Sequence, residues 1–165
     1  MPSVLFVCTA NRFRSPLAAA ILEKYLRDSN EQGPWQVSSA GTWTTPGQPP
    51  VPFLKEVAGS LGFEINGHRS TPVQASLLAA QDLILVMEPG HKEALMVEFP
   101  SRGEQVYLLS QVVENKNYAI PDTFQSEAQV REVALLLKSL LFDGYRKICT
   151  LATYLHNAGA QKNRN

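Results

Sequence analysis

A cysteine followed six positions later by an arginine, between an apolar run and a helical pattern, constrains this chain more than any other feature. The run at 4–7 is short and bounded by polar residues, which predicts a buried strand ending at Cys8. Ser15 is a favoured N-cap and Pro16 a favoured first helical residue, so we predict that a helix begins there. A thiol therefore leaves the carboxyl end of a strand, and the loop before the helix can turn its N–H groups inward.

This loop carries the groups that an anion-binding site needs. Unpaired N–H groups and the helix dipole favour a phosphate at a helix N-terminus, and the same field favours a thiolate at Cys8. The planar fork of Arg14 can hold two oxygens of a tetrahedral dianion, while Asn11 and Ser15 can donate to the thiolate or brace the loop. These groups suit transfer of a phosphoryl group onto sulfur. The alternative is a buried cysteine beside exposed arginines, which is the usual role of a cysteine on its own.

Length and composition exclude several classes of protein. The chain has 165 residues, which suits one domain, and its formal net charge of zero predicts no bulk attraction to nucleic acid or membrane. Only two cysteines occur, Cys8 and Cys149, so we expect neither a disulfide framework nor a zinc cluster. The N-terminus lacks a basic region followed by a long apolar segment, which argues against a signal peptide or a membrane span. We therefore expect a cytoplasmic protein in a reducing compartment.

Strand and helix patterns alternate along the chain. Further strands are predicted at 35–40, 82–87 and 105–109, and helices at 16–27, 53–61, 71–80, 88–99 and from 126 onward. A polar turn is predicted at 30–34, and loops at 41–52 and 110–124. This order predicts an α/β fold: one domain at 1–158, with a doubly wound, four-stranded parallel sheet in the flavodoxin-like order 2-1-3-4, and a tail at 159–165. Such sheets bind ligands outside their carboxyl ends, where Cys8 lies.

The cysteine loop resembles the Cys-x5-Arg-Ser loop of the low-molecular-weight protein tyrosine phosphatases. Asn11, Arg14, Ser15 and Pro16 stand where that family has them. The resemblance implies that Cys8 is the nucleophile, that Arg14 binds the phosphoryl group, and that the intervening loop surrounds it.

The resemblance also makes Thr9 the first residue of the phosphate-binding segment. Three later residues of that segment depart from the family pattern. Ala10 replaces the usual glycine, Arg12 replaces isoleucine or threonine, and Phe13 stands where a second cysteine is frequent. An apolar residue at the position of Arg12 packs against an aromatic leaving group in the family, and a threonine there marks phosphoarginine enzymes. The cation of Arg12 predicts either a substrate with acidic surroundings or a side chain that points to solvent. Phe13 removes a thiol that could capture an oxidised Cys8.

A proton donor for the leaving oxygen is expected on the loop after the last strand. Asp122 lies there and can reach the same sheet edge as Cys8, although an aspartate after a proline is also a common turn residue. The resemblance implies that Asp122 is the acid, but the family has an Asp-Pro pair and this chain has Thr123 after it. Phe124 stands where the family has an aromatic pocket wall.

Two further segments resemble those that support the family's phosphate loop. Ser39 and His68 correspond to residues that hydrogen-bond Asn11 and Ser15 in the family. Without the resemblance, His68 is a turn histidine with no assigned role. Trp43 either lines the pocket mouth or folds onto the core.

The leading functional prediction is a phosphomonoesterase that uses neither metal nor cofactor and hydrolyses phosphotyrosine through a phosphocysteine. Its expected substrates are a phosphotyrosine-containing protein or a small aryl phosphate, with inorganic phosphate as product and inhibitor. An arsenate reductase shares the fold and loop but passes electrons through further cysteines, and only Cys149 is available. A non-catalytic phosphate-binding module is the other alternative, because Ala10, Arg12 and Thr123 are altered.

Overall fold

The computed structural model describes residues 1–29 and 33–162, and a four-stranded sheet lies at its centre. The strands are β1 (Ser3–Cys8), β2 (Gln36–Gly41), β3 (Leu83–Val86) and β4 (Val106–Leu108). All neighbouring strands run parallel in the order β2-β1-β3-β4, which confirms the predicted fold and strand order. Within this register Cys8 pairs with Gly41, so the thiol lies at the carboxyl edge of the sheet beside the end of β2.

Helices cover both faces of the sheet. They are α1 (Arg14–Asp28), α2 (Leu54–Ser60), α3 (Ala75–Ala79), α4 (Pro89–Glu98), α5 (Leu109–Glu114) and α6 (Glu127–Lys162), with a 3-10 turn at Pro100–Gln105. Val4 and Phe6 pack in a core with residues of α1, α2, α5 and α6, whereas Leu5 and Val7 pack in a second core with residues of α3 and α4. Alternate side chains of one strand thus enter opposite cores, as in a doubly wound sheet.

Two predicted helix starts are wrong. Helix α1 begins at Arg14 with Phe13 as N-cap, and Ser15 makes no capping bond because its hydroxyl contacts Cys8. Thr71 and Pro72 do not start a helix either. Their backbone pairs with Gly41 instead, through bonds of 2.9 and 2.8 Å on either side of Pro72, and α3 begins later, at Ala75.

The predicted loop at 110–124 contains a helix that the sequence analysis missed. Helix α5 buries Leu109 and Val113 against α6. A Cβ atom on Gly144 of α6 would lie 2.4 Å from Cγ2 of Val113, so the glycine allows the two helices to approach closely. The contact explains a glycine inside a long helix, where it costs about 1 kcal/mol relative to alanine.

The last helix runs without a break through Gly144, as predicted. Half of its predicted capping box is present: the backbone N–H of Gln129 donates to Oγ of Ser126 at 3.2 Å, whereas the side-chain oxygen of Gln129 accepts from the backbone of Gln125, at 2.9 Å, and not from that of Ser126. Although α6 has 36 residues, no described helix combines the length and apolar character that a bilayer span requires.

The predicted division into a domain at 1–158 and a tail at 159–165 stays a prediction. Residues 159–162 continue α6, which ends at Lys162. Residues 163–165, like residues 30–32 of the turn predicted at 30–34, lie outside the described residues.

Candidate active site

The thiol of Cys8 lies at the end of β1, where the residue is only 3% exposed. Its Sγ is 3.0 Å from Oγ of Ser15. That hydroxyl accepts a hydrogen bond from Nδ2 of Asn11 at 2.8 Å, so its own hydrogen can be donated to the sulfur. The carbonyl oxygen of Ala40 is its other acceptor, at 3.3 Å. Ser15 therefore offers a donor to a thiolate at Cys8.

The loop at 9–13 turns its carbonyl groups away from its own centre. Three of them accept hydrogen bonds from neighbouring segments: Thr9 from Trp43, Asn11 from His68, and Arg12 from Val51, at 2.7–3.0 Å. The carbonyl of Cys8, just before the loop, accepts from Thr42 in the same way, at 2.9 Å. In a trans peptide the N–H points opposite to the carbonyl, so the N–H group that follows each of these carbonyls points toward the centre of the loop. Within the described residues, no backbone N–H of 9–13 donates to a protein acceptor. The loop can therefore direct several donors at one anion.

Asn11 holds this loop in shape from within. It is fully buried, has a left-handed φ of 54°, and accepts the backbone N–H of Thr71 at 2.8 Å. Ser39 accepts from its side-chain amide at 2.9 Å, and Nε2 of His68 donates to its carbonyl. Both contacts that the resemblance implied for Asn11 are present, whereas Ser39 and His68 reach Ser15 only through Asn11.

Gly41 makes the close approach of β2 to this loop possible. A Cβ atom at this position would lie 2.6 Å from the carbonyl oxygen of Thr9 and 3.0 Å from the carbonyl carbon of Ala10. Because those atoms are backbone, any larger residue at 41 would displace the loop.

Arg14 is a buried cation held between two carboxylates. The residue is 1% exposed, and its Nη1 donates to the carbonyl of Ile120 at 2.8 Å. The same nitrogen is 3.3 Å from Oε1 of Glu88, and Nη2 is 3.2 Å from Oδ2 of Asp122. Its Nε is buried without a protein partner. The structure thus places Asp122 at the edge where Cys8 lies, on the guanidinium fork that a phosphate dianion would also bind.

Glu88 and His91 belong to this cluster, and sequence reasoning missed both. Nε2 of His91 lies 3.1 Å from Oε2 of Glu88 and 2.8 Å from Oγ1 of Thr9. Burial lowers the pKa of His91 to about 4, and the Arg14 cation adds to this, while Glu88 opposes it. The imidazole is therefore neutral near pH 7. The available signal was the position of Glu88, directly after the most apolar strand and hence at the carboxyl edge of the sheet.

Two aromatic residues, Trp43 and Phe124, lie beside the cysteine loop, and the surface between them is called the opening of the site. Trp43 is 85% exposed, so it does not fold onto the core. Phe124 is half-exposed and meets the buried ring of Phe13 edge to face, with centroids 6.1 Å apart. Nε of Arg12 donates to the carbonyl of Pro49 at 2.7 Å, which ties this side chain to the loop at 41–52. The opening thus combines aromatic surface with a cation.

In the part of the chain that the structure describes, no group of three or more histidine, cysteine or acidic side chains is placed to hold a metal ion. The independence of metal that the sequence predicts is a matter for experiment.

Comparison with known proteins places this geometry in a family. A family model for low molecular weight phosphotyrosine protein phosphatases matches residues 3–156. A protein-arginine-phosphatase of Geobacillus stearothermophilus is 33% identical over 132 residues, which are 79% of this chain and 84% of that protein. A probable low molecular weight protein-tyrosine-phosphatase, EpsP of Ralstonia nicotianae, is 32% identical over 81% of this chain and 86% of its own. The crystal structure of the tyrosine phosphatase Wzb from Escherichia coli K30 with sulphate superposes with a TM-score of 0.78, at 27% identity, over 90% of this chain and 99% of that one.

Proposed function

The chain belongs to the low molecular weight phosphotyrosine protein phosphatase family, and on that premise we propose that it hydrolyses phosphotyrosine through a phosphocysteine at Cys8. The observation that carries the proposal is the placement of Arg14. Its buried guanidinium, bracketed by Glu88 and Asp122, lies at the end of the loop that starts at Cys8. A buried cation with an exchangeable carboxylate partner is suited to bind a dianion.

In the first step, the thiolate of Cys8 attacks phosphorus, so that a P–S bond forms as the P–O bond to the phenol breaks. Arg14 and the inward N–H groups of the loop stabilise the phosphoryl oxygens as charge develops. Asp122, in its protonated form, donates its proton to the leaving oxygen.

In the second step, water attacks the phosphocysteine, so that a P–O bond forms as the P–S bond breaks. Asp122, now a carboxylate, takes the proton from the water. The departing sulfur returns to its thiolate form, to which the hydroxyl of Ser15 donates. The product is inorganic phosphate, which we expect to inhibit competitively because it binds the same loop.

The ion pair between Arg14 and Asp122 has a consequence for this cycle. Nη2 of Arg14 and Oδ2 of Asp122 are 3.2 Å apart, and Asp122 lies on an exposed loop. A bound phosphate competes for that nitrogen and frees the carboxyl group of Asp122, which without its cation partner can hold the proton that the leaving oxygen then takes. Binding and general acid catalysis are thereby linked.

A second candidate substrate is phosphoarginine, because relatives from Geobacillus stearothermophilus and Bacillus subtilis are named protein-arginine-phosphatases. Arg12 argues for phosphotyrosine instead. A guanidinium can stack on a neutral phenol ring, whereas the guanidinium leaving group of phosphoarginine brings a like charge to the pocket rim. Rates on two peptides that differ only in phosphotyrosine or phosphoarginine decide between them, and we expect the first to be cleaved faster.

The two other functional classes have less support. An arsenate reductase needs a second thiol within reach of the first. Cys149 instead lies about 33 Å along α6 from Glu127, about two turns before His156, which contacts Asp82 at the sheet edge opposite Cys8. A non-catalytic module would not need Asp122 at the guanidinium of Arg14. A reducing, cytoplasmic location stays a prediction from the cysteine content.

The direct test is turnover of an aryl phosphate in the presence of a metal chelator. We expect full activity with the chelator, competitive inhibition by vanadate, and loss of turnover in Cys8→Ser. Cys149→Ser is the matched control, since it makes the same change far along α6 and leaves the loop intact. Activity that the chelator abolishes, or that Cys8→Ser retains, would contradict the proposal.

A further inference from the structure

Outside the cysteine loop, one buried ionisable side chain contacts both the phosphate loop and the partner of Arg14. His91 is 5% exposed and lies in the first turn of α4. Its Nε2 is within hydrogen-bond distance of Oε2 of Glu88 and of Oγ1 of Thr9, while its Nδ1 is buried with no protein partner. The imidazole therefore contacts two parts of the site that lie far apart in the sequence, the loop at Thr9 and the carboxylate of Glu88.

The contacts fix the position of the proton on this ring. Nδ1 of His91 has no partner among the described residues, and Nε2 lies 3.1 Å from Oε2 of Glu88, whose negative charge favours a hydrogen on the nitrogen that faces it, so the neutral ring carries its hydrogen at Nε2. This N–H donates to Oγ1 of Thr9 at 2.8 Å, so the contact does not use the hydroxyl hydrogen of Thr9. A second proton would place a buried N–H at Nδ1 without an acceptor, and of the charged groups near the ring Arg14 opposes that proton while Glu88 favours it. The neutral ring protonated at Nε2 is the form that these contacts favour.

The side chain of Glu88 contacts Arg14 and His91 and does not cap the helix that it precedes. Glu88 is the N-cap residue of α4, yet its side chain makes no capping hydrogen bond. Its two oxygens go to different partners instead, Oε1 to Nη1 of Arg14 and Oε2 to His91. Rotation of this carboxylate is thereby restricted at both oxygens, and one edge of the guanidinium keeps its orientation when the edge facing Asp122 turns to phosphate.

We propose that His91 is a positioning residue for phosphoryl transfer, which joins the hydroxyl of Thr9, by a hydrogen bond, and the Glu88 carboxylate on Arg14, by a close polar contact, in one unit. The proposal rests on the phosphatase activity proposed above. His91 touches neither the phosphoryl group nor the leaving group. It acts through the orientation of Arg14 and Thr9, the residues that we expect to contact the bound phosphate.

Kinetics of His91→Leu and His91→Gln test this role, with the inhibition constant of inorganic phosphate as the main readout. Leucine removes the donor, so we expect the phosphate inhibition constant and KM to rise roughly 10-fold, with a smaller change in kcat. Glutamine can still donate an N–H to Glu88 or Thr9 and should stay within about threefold of the wild-type inhibition constant. Equal losses in both variants, or an unchanged constant in folded His91→Leu, would overturn the proposal.

The pH dependence separates a neutral positioning ring from a charged phosphate ligand. If His91 acts as the neutral donor, the ratio of the two phosphate inhibition constants, His91→Leu to wild type, is the same at pH 5.5 and 7.5. If it binds phosphate as an imidazolium, that ratio falls as pH rises through this range, and the proposal is wrong. Failure of the wild type to turn over an aryl phosphate would remove the proposed function itself, which is a different result.

His156→Leu is the matched control, because His156 makes a comparable contact with Asp82 at the opposite edge of the sheet, at 3.1 Å. It should leave the phosphate inhibition constant unchanged. If His91→Leu does not fold, Thr9→Val tests the same unit from the loop side, with Thr9→Ser as its conservative partner. A raised constant in Thr9→Val that Thr9→Ser restores supports the unit, and an unchanged constant in Thr9→Val overturns it.

Discussion

Each end of the sheet contains a histidine paired with a carboxylate at 3.1 Å. At the carboxyl edge His91 pairs with Glu88, and at the opposite edge His156 pairs with Asp82. The residue types and the distances are alike, so the partners that surround each pair must account for any difference in role.

At the amino edge, the carboxylate of Asp82 links the start of β3 to the start of β1. Oδ2 of Asp82 accepts from the backbone N–H and the hydroxyl of Ser3 at 2.9 and 3.0 Å, besides the contact with His156. In return the hydroxyl of Ser3 accepts from the backbone of Asp82. This cluster joins the first residue of β1 to the residue before β3, and its polar groups satisfy one another.

At the carboxyl edge, the carboxylate of Glu88 pairs with a cation, Arg14, that is not fully hydrogen-bonded. Glu88 pairs with Arg14, whose Nε has no protein partner, and His91 has an unpartnered Nδ1. Buried groups left in this state reduce stability, and they are typical of sites that act on a ligand. The same kind of pair therefore stabilises the sheet at one edge and, at the other, lies beside the groups that we propose bind phosphate.

Cys8→Ser should cause the largest change at the carboxyl edge. A serine hydroxyl does not ionise near neutral pH, so we expect turnover of an aryl phosphate to fall by at least roughly 10⁴-fold. The loop and Arg14 remain, so phosphate should still raise the melting temperature of the variant. Turnover near the wild-type rate would remove Cys8 as the nucleophile and with it the functional distinction between the two edges.

Asp122→Ala should have the next largest effect, and one that depends on the leaving group. The phenol of tyrosine has a pKa of about 10, so its ester needs a proton from the enzyme, and we expect roughly a 10²–10⁴-fold slower rate. A nitrophenyl phosphate should lose less, because its leaving group departs more readily as the anion. Steady-state rates on both esters measure the difference, and equal losses would indicate that Asp122 only shapes its loop.

Asp82→Ala should change stability and leave catalysis alone. The backbone N–H and hydroxyl of Ser3 lose their acceptor, which should lower the free energy of unfolding by roughly 2–3 kcal/mol. Urea unfolding measures this loss. Because the change lies at the far edge of the sheet, kcat/KM under stabilising conditions should stay within about twofold. A large fall in kcat/KM of the folded variant would break the division between the two edges.

The pH dependence of stability should reveal the carboxyl edge through His91. Its pKa is lowered by burial to about 4 in the folded protein, so the unfolded chain binds more protons between pH 6.5 and 4. Stability is therefore present above pH 6.5 and is lost as pH falls, by about 2 kcal/mol between pH 7 and 5 from this residue. Urea unfolding of His91→Gln at both pH values should show a smaller loss than the wild type. Equal losses would contradict the assignment of a neutral buried ring.

Those site residues at the carboxyl edge that are close together in the sequence could be predicted from it. Cys8, Asn11 and Arg14 share one loop, so their spacing alone indicates an anion site. Glu88 escapes this reasoning because it meets Arg14 only through the parallel pairing of β1 and β3, in which the N–H of Met87 donates to the carbonyl of Val7. A contact between distant segments depends on register, which residue types do not specify.

The errors in the fold have similar physical causes. Ser15 has the residue type of an N-cap, but its hydroxyl is taken by Cys8, so the helix starts earlier. Thr71 and Pro72 suit a helix start, but their backbone extends the edge of β2 at Gly41. Helix α5 has six residues and no side-chain cap, and it is stabilised by packing against Gly144. In each case a tertiary contact outweighed a local preference.

Trapping the phosphoryl group on the enzyme tests the central claim, transfer to Cys8 at the carboxyl edge, most directly. Asp122→Ala should still react with nitrophenyl phosphate, but it lacks the base that activates water for the second step, so the intermediate should accumulate. Rapid quench in alkaline denaturant followed by mass spectrometry of the peptides should find a phosphoryl group on Cys8, in an amount that approaches one per enzyme molecule. Release of nitrophenolate with no phosphorylated peptide, or with the phosphoryl group on another residue, would contradict the account.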